Sequence, residues 1–89
     1  MENLHELEIT EKAISWIKFN KKVVLATVIS TWGSSPFRTG TKMIINEEGD
    51  FLGSVSGGCV EANVIEESIE LLKNNFQFKK LEFNVSDEN

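Results

Sequence analysis

The only cysteine of this chain, Cys59, stands in the stretch GSVSGGCVE, directly after two glycines and directly before a helix-like run, ANVIEESIELL. A thiol at the start of a helix meets the partial positive charge of unpaired backbone N–H groups, which stabilises the thiolate and lowers its pKa below the free value of ~8.5. Gly57 and Gly58 permit backbone conformations closed to other residues and allow a ligand to approach the main chain closely. The stretch therefore predicts an anion cradle holding a soft sulfur, nucleophilic or metal-binding. The plain alternative is a cysteine used as a small buried hydrophobe, with Gly-Gly serving close strand-to-helix packing. Both readings stay open on these residues alone. Glu61 lies two positions on, and residues i and i+2 do not share a helix face. A Cys59–Glu61 catalytic pair would need an irregular first turn, so an acid set against the helix dipole is the simpler role.

A second polar element, GSSPFRTG, runs from Gly33 to Gly40. It offers the hydroxyls of Ser34, Ser35 and Thr39, and Arg38, the one arginine among nine cations. Hydroxyls with one guanidinium suit a phosphate or another anionic group, while a solvated turn is the common fate of such a loop. Both elements must be positioned by what surrounds them. ITEKAISWIKF (9–19) has Ile9, Ala13, Trp16 and Ile17 at helical spacing, with Thr10 as N-cap and Asn20 as a left-handed stop. VVLATVIS (23–30) reads as a central strand apolar on both faces, and the Gly33–Gly40 loop leaves its C-terminal end, where α/β sheets bind ligands. KMIIN (42–46) and DFLGSVS (50–56) read as strands joined by a turn at Glu47-Glu48-Gly49. A second helix is expected from near Gly58 or Cys59 to about Asn74, then a half-buried last strand in Gln77–Val85 with Leu81, Phe83 and Val85 alternating. The order α-β-β-β-α-β predicts a small α/β (α+β) domain: a mixed sheet of about four strands flanked by two helices.

Composition narrows the function. The chain has 89 residues and a formal net charge of −5, with no basic stripe, which argues against nucleic acid as a partner. The longest apolar run falls far short of the ~20 residues of a membrane span, and the acidic N-terminus lacks signal-peptide features. A single cysteine forms no internal disulfide, so a cytoplasmic location is expected. One His, His5, and one Cys cannot assemble a zinc-type ligand set, and His5 reads as a solvated residue of a loose N-terminus. No GxxxxGK[ST] or GxGxxG is present.

Taken together, the two elements are far more specific than either alone. ATVISTWGSSPFRTGTKMIINEEGDFLGSVSGGCVEANVIEES resembles the N-terminal domain of the XdhC/CoxI family, accessory proteins for maturation of xanthine-dehydrogenase-type and carbon-monoxide-dehydrogenase-type molybdenum enzymes. The resemblance covers roughly residues 10–88. It implies a protein that binds molybdenum cofactor transiently, protects it and delivers it to an apo-enzyme, with a cysteine desulfurase supplying sulfur at that step. The family's Gly-Ser-x-Pro motif falls on Gly33, Ser34 and Pro36, with Ser35 between them, its later glycine on Gly40 and its methionine on Met43. Its second motif falls on Gly53, Ser54, Ser56, Gly57, Gly58, Cys59 and Glu61. Family members commonly have Arg directly after the proline; here Phe37 intervenes before Arg38.

The implied cofactor site is therefore Gly33, Ser34, Ser35, Pro36, Arg38, Gly40, Ser56, Gly57, Gly58, Cys59 and Glu61, with Cys59 near molybdenum. Relatives continue past the position of Asn89 into another Gly- and Cys-containing segment, and many carry a dinucleotide-fold domain. On this resemblance residues 1–89 form a single N-terminal-type domain without a C-terminal Rossmann domain, working with a family partner that bears one or as a homo-oligomer. The expected function is a cofactor-binding chaperone rather than an enzyme. The alternatives are an enzyme-like sulfur carrier using a Cys59 persulfide, and a truncated interaction subunit that binds no cofactor.

Overall fold

The computed structural model describes residues 4–29, 38–58 and 60–83. Two helices and three strands follow one another as α1 (Leu4–Lys18), β1 (Val23–Thr27), β2 (Lys42–Asn46), β3 (Phe51–Gly53) and α2 (Glu61–Lys73). The strands form a three-stranded sheet in the order β1-β2-β3, antiparallel throughout. This is the α+β class expected, with one strand fewer and no parallel pairing among the described residues.

The strand in the middle is β2, not β1. Its residues alternate between the two faces, as a period of two requires. Ile44 packs with Ile9 and Trp16 of α1, while Met43 and Ile45 pack with Val64 of α2 on the opposite face. Each helix thus covers one face of the same short strand. The longer apolar run in β1 lies at the edge of this sheet, and Leu25 remains 57% exposed.

The first helix begins at Leu4, so it includes the His5 backbone and places Thr10 in its interior. Thr10 is not an N-cap: its Oγ1 donates to the Glu6 carbonyl one turn back, at 3.1 Å. Asn20 takes φ of 65°, the left-handed stop expected after α1. Residues 77–83 form no strand. Leu81 and Phe83 nevertheless pack against the Met43–Ile45–Val64 cluster, so the alternation there marks burial without a ladder; Val85 lies outside the described residues.

The β2–β3 turn is organised by Asn46, which is fully buried. Its Oδ1 accepts from the Glu48 and Asp50 amides at 2.8 and 3.1 Å, and its backbone N–H donates to the Asp50 carbonyl at 2.9 Å. Two turn amides therefore depend on one side-chain oxygen. Asn46→Ala leaves both without that acceptor and opens a space beside the core, at an expected cost of about 2–3 kcal/mol. Urea denaturation checks this, and a shift of less than about 0.5 kcal/mol would mean that water takes over the role of the amide.

Candidate functional site

Strand register brings the described ends of the two glycine-rich elements together. Thr27 pairs with Lys42, and Met43 pairs with Gly53. The end of β1, the start of β2 and the end of β3 therefore share one end of the sheet. The stretch from Arg38 to Thr41 enters β2 there, and the stretch from Ser54 to Gly58 leaves β3 there. The last bonds of the β1–β2 ladder extend past the strands: Val28 N–H donates to the Thr41 carbonyl at 2.9 Å, and Gly40 N–H to the Val28 carbonyl at 2.7 Å. Among the sequence-predicted site residues, Arg38, Gly40, Ser56, Gly57, Gly58 and Glu61 lie at this end. Gly33, Ser34, Ser35, Pro36 and Cys59 lie outside the described residues.

The loop after β3 is built around Glu61. Strand β3 stops at Gly53, three residues before the expected end, because the chain there turns onto this carboxylate. Oε2 accepts from the Val55 and Ser56 amides, both at 2.8 Å, and from the Ser54 hydroxyl. Oε1 accepts from the Ser56 hydroxyl at 2.5 Å and from the Gly58 amide at 2.9 Å. The serine oxygens are used twice. Ser54 Oγ accepts from the Gly57 amide at 3.1 Å, and Ser56 Oγ accepts from the Val60 amide at 2.9 Å. Gly57 and Gly58 take φ of 75° and 110°, and this consecutive pair folds the loop back so that its amides converge on one point.

The electrostatics follow from those donors. Glu61 is only 9% exposed, and burial by itself pushes its carboxyl pKa up. The Ser54 and Ser56 hydroxyls and the Ser56 and Val55 amides outweigh that and hold it far below its ordinary value. Glu61 is therefore a fixed anion inside its own protein.

This changes how the loop works. Amides expected to point outward as an anion cradle are directed at Glu61, and α2 starts at Glu61 rather than at Gly58 or Cys59. The anion-binding geometry is legible in the sequence, but its occupant is internal. Glu61 neither merely faces the helix dipole nor shares a regular helix face with position 59. Its side chain reaches back to the Gly58 amide and to the Ser56 hydroxyl, whose oxygen in turn accepts from the Val60 amide.

On the other side of the sheet end, a cleft of about 420 Å³ is lined by Glu6 and Ile9 of α1 and by residues 38–42. Lys42 Nζ donates to Glu6 Oε2 at 2.9 Å and to the Gly40 carbonyl at 3.0 Å. Thr41 Oγ1 donates to the Arg38 carbonyl at 2.7 Å. Lys42 is not among the residues that the sequence singles out, because as the first residue of a strand it carries no motif. Only the register reveals that it stands beside Arg38 and Gly53.

Residues 16–83 match the model of the XdhC and CoxI family, a span holding all three strands, α2 and both glycine-rich elements. A molybdenum cofactor insertion chaperone, PaoD of Escherichia coli, is 35% identical over 60 residues, covering 67% of this chain and 19% of that protein. A Bacillus subtilis protein named as a probable xanthine dehydrogenase subunit is 37% identical over 46 residues, covering 52% of this chain and 14% of that protein. The uncharacterized protein YqeB of Escherichia coli is 35% identical over 54 residues, covering 61% of this chain and 10% of that protein. The chain thus spans less than a fifth of the length of each of these relatives. The family model extends over most of the chain, and both the Glu61 loop and residues 38–42 fall inside the match: this chain belongs to the XdhC and CoxI family.

Proposed function

We propose that this domain binds molybdenum cofactor as cargo and assists its insertion into a molybdoenzyme of the xanthine dehydrogenase type. The observation that carries the reading is the meeting of residues 38–42, the described end of the first element, with residues 53–58 of the second at one end of the sheet, inside the span that matches the family. The relative named as a cofactor insertion chaperone and the one named for xanthine dehydrogenase support the same role. The chemistry is suitable: a pterin cofactor with a phosphate and a dithiolene-held metal presents an anion and a soft centre. Arg38 and Lys42 suit the anion, and the thiol of Cys59, in a loop braced by Glu61, suits the metal end. Gly33, Ser34, Ser35, Pro36 and Gly40 complete the candidate contacts. Sulfuration of the cargo, with a cysteine desulfurase as the sulfur donor's source, belongs to the same proposal, as does a family partner bearing a Rossmann domain.

Anaerobic co-purification of molybdenum and pterin with the chain tests it, comparing wild type with Cys59→Ser. The expected result is metal and pterin with wild type and at least a roughly tenfold loss in the variant, since a hydroxyl replaces the only soft ligand. Equal binding by both proteins removes Cys59 from the site. Binding by neither, with both folded, rejects the cofactor-binding role for this chain.

A further inference from the structure

The cleft at residues 38–42 contains more charge than a turn requires. Arg38 is the chain's only arginine, and among the described residues it makes no ion pair or side-chain hydrogen bond. In a chain of net charge −5, acids elsewhere are plentiful, yet among the described residues none pairs with this guanidinium. Beside it, the Lys42 ammonium is held in place by Glu6 and by the Gly40 carbonyl. A Cβ at Gly40 would meet nothing within 4 Å, so the backbone between the two cations faces open space. Were the Lys42–Glu6 pair only a tie between α1 and β2, it would contribute little at this degree of exposure, and it would leave Arg38 unexplained.

We propose that this cleft is a phosphate-monoester subsite, with Arg38 and Lys42 as its cations and Glu6 as an internal counter-ion that the ligand displaces. The identity of the molecule bearing the phosphate rests on the function proposed above; the subsite itself does not. Arg38 and Lys42 carry two positive charges, and Glu6 cancels one. A phosphate-monoester dianion that takes Lys42 from Glu6 balances both cations. The guanidinium supplies paired N–H donors in a plane, and the ammonium a point charge already oriented by the Gly40 carbonyl. At about 420 Å³ the cleft is larger than a phosphate, so it also admits part of the attached organic group. The Glu61 loop, whose amides are directed inward, does not compete for the same anion.

The test is a titration followed by backbone-amide NMR at low ionic strength, first with inorganic phosphate. Saturable shifts at residues 38–42 are expected. Arg38→Met, at an exposed side chain, weakens binding about tenfold without unfolding the protein. Glu6→Gln tightens binding about threefold by removing the competing charge. Shifts centred on Gly57–Gly58, no saturable shift, or an unchanged affinity in Arg38→Met overturns the proposal. A second arm compares pterin cofactor with its dephosphorylated form, anaerobically. Phosphate binding at 38–42 without any cofactor binding leaves the subsite standing and rejects the function. Cofactor binding that ignores both the phosphate and Arg38→Met does the reverse.

Discussion

Glu61→Gln is expected to destabilise the protein by about 3–4 kcal/mol, although it changes neither the volume nor the reach of the side chain. The reason is the nature of the donors. Each carboxylate oxygen accepts at least one backbone N–H: Val55 and Ser56 on one side, Gly58 on the other. Whichever way a glutamine amide is turned, its NH2 faces a backbone donor that cannot reverse. The serine hydroxyls can rotate to accept, but the peptide groups cannot. A loss of this size is a large part of the ~5–15 kcal/mol that holds a small domain together. Glu61→Asp is expected to lose less, because it keeps the charge but cannot span from Ser54 to Gly58. Urea midpoints measure both, and a midpoint unchanged in Glu61→Gln would mean that the loop is held by something else.

The same carboxylate sets a pH dependence with a definite sign. Burial raises its pKa, and the four donors named above lower it by more, so the folded value lies below the ordinary 4.5. A group with a depressed folded pKa contributes stability that is complete above its unfolded value and declines as pH falls toward the folded one. Wild-type stability is therefore expected to fall progressively as pH drops below about 5, and Glu61→Gln is expected to lack that component of the fall. Parallel acid profiles for the two proteins would assign the drop to other carboxylates.

Glu61 also illustrates where sequence reasoning stops. Spacing of i and i+2 disfavours a Cys59–Glu61 pair only on a regular helix, and it is silent on which donors lie upstream. Ser54 and Ser56, followed by two glycines, are the usable sign of a side-chain-organised turn. The strand order is hidden for a different reason. Val23–Ile29 is the longest apolar run, but length of run does not set centrality. Which strand lies between the others depends on the connections, and the tight Asn46–Asp50 turn places β3 on the far side of β2. Leu25 then stays exposed however apolar its neighbours are. Likewise, alternation at Leu81 and Phe83 reports which side chains face the core, not whether their backbone pairs. Both glycine-rich elements are visible in the sequence, while the meeting of residues 38–42 with residues 53–58 is not, since it arises from long-range register.

Gly53→Ala is expected to have the other large effect, and it links stability to function. Gly53 has φ of +96°, a conformation that L side chains rarely adopt. A Cβ there would sit 2.6 Å from the Lys42 carbonyl oxygen, 2.9 Å from Met43 Cα and 3.0 Å from Ile9 Cδ1. The first two are backbone atoms of the central strand, so no rotamer change relieves the contact. Strain and overlap together predict a loss of about 3–5 kcal/mol. Gly40→Ala supplies the control. Gly40 has the same φ of +96°, but its Cβ would meet nothing within 4 Å, so only the strain remains, about 1–2 kcal/mol. Equal losses in urea denaturation would show that the close approach at Gly53 carries no energy. The consequence for the site follows from what meets there. Gly53 is where the Glu61-braced loop leaves the sheet, and Lys42 is where the cationic cleft enters it. With no Cβ between them, the two lie in contact; with one, β3 must draw away from β2 at the end that holds both. At a temperature where Gly53→Ala is still folded, the proposed cofactor binding is therefore expected to be weaker than in wild type, because the distance between the halves of the site has changed rather than their chemistry.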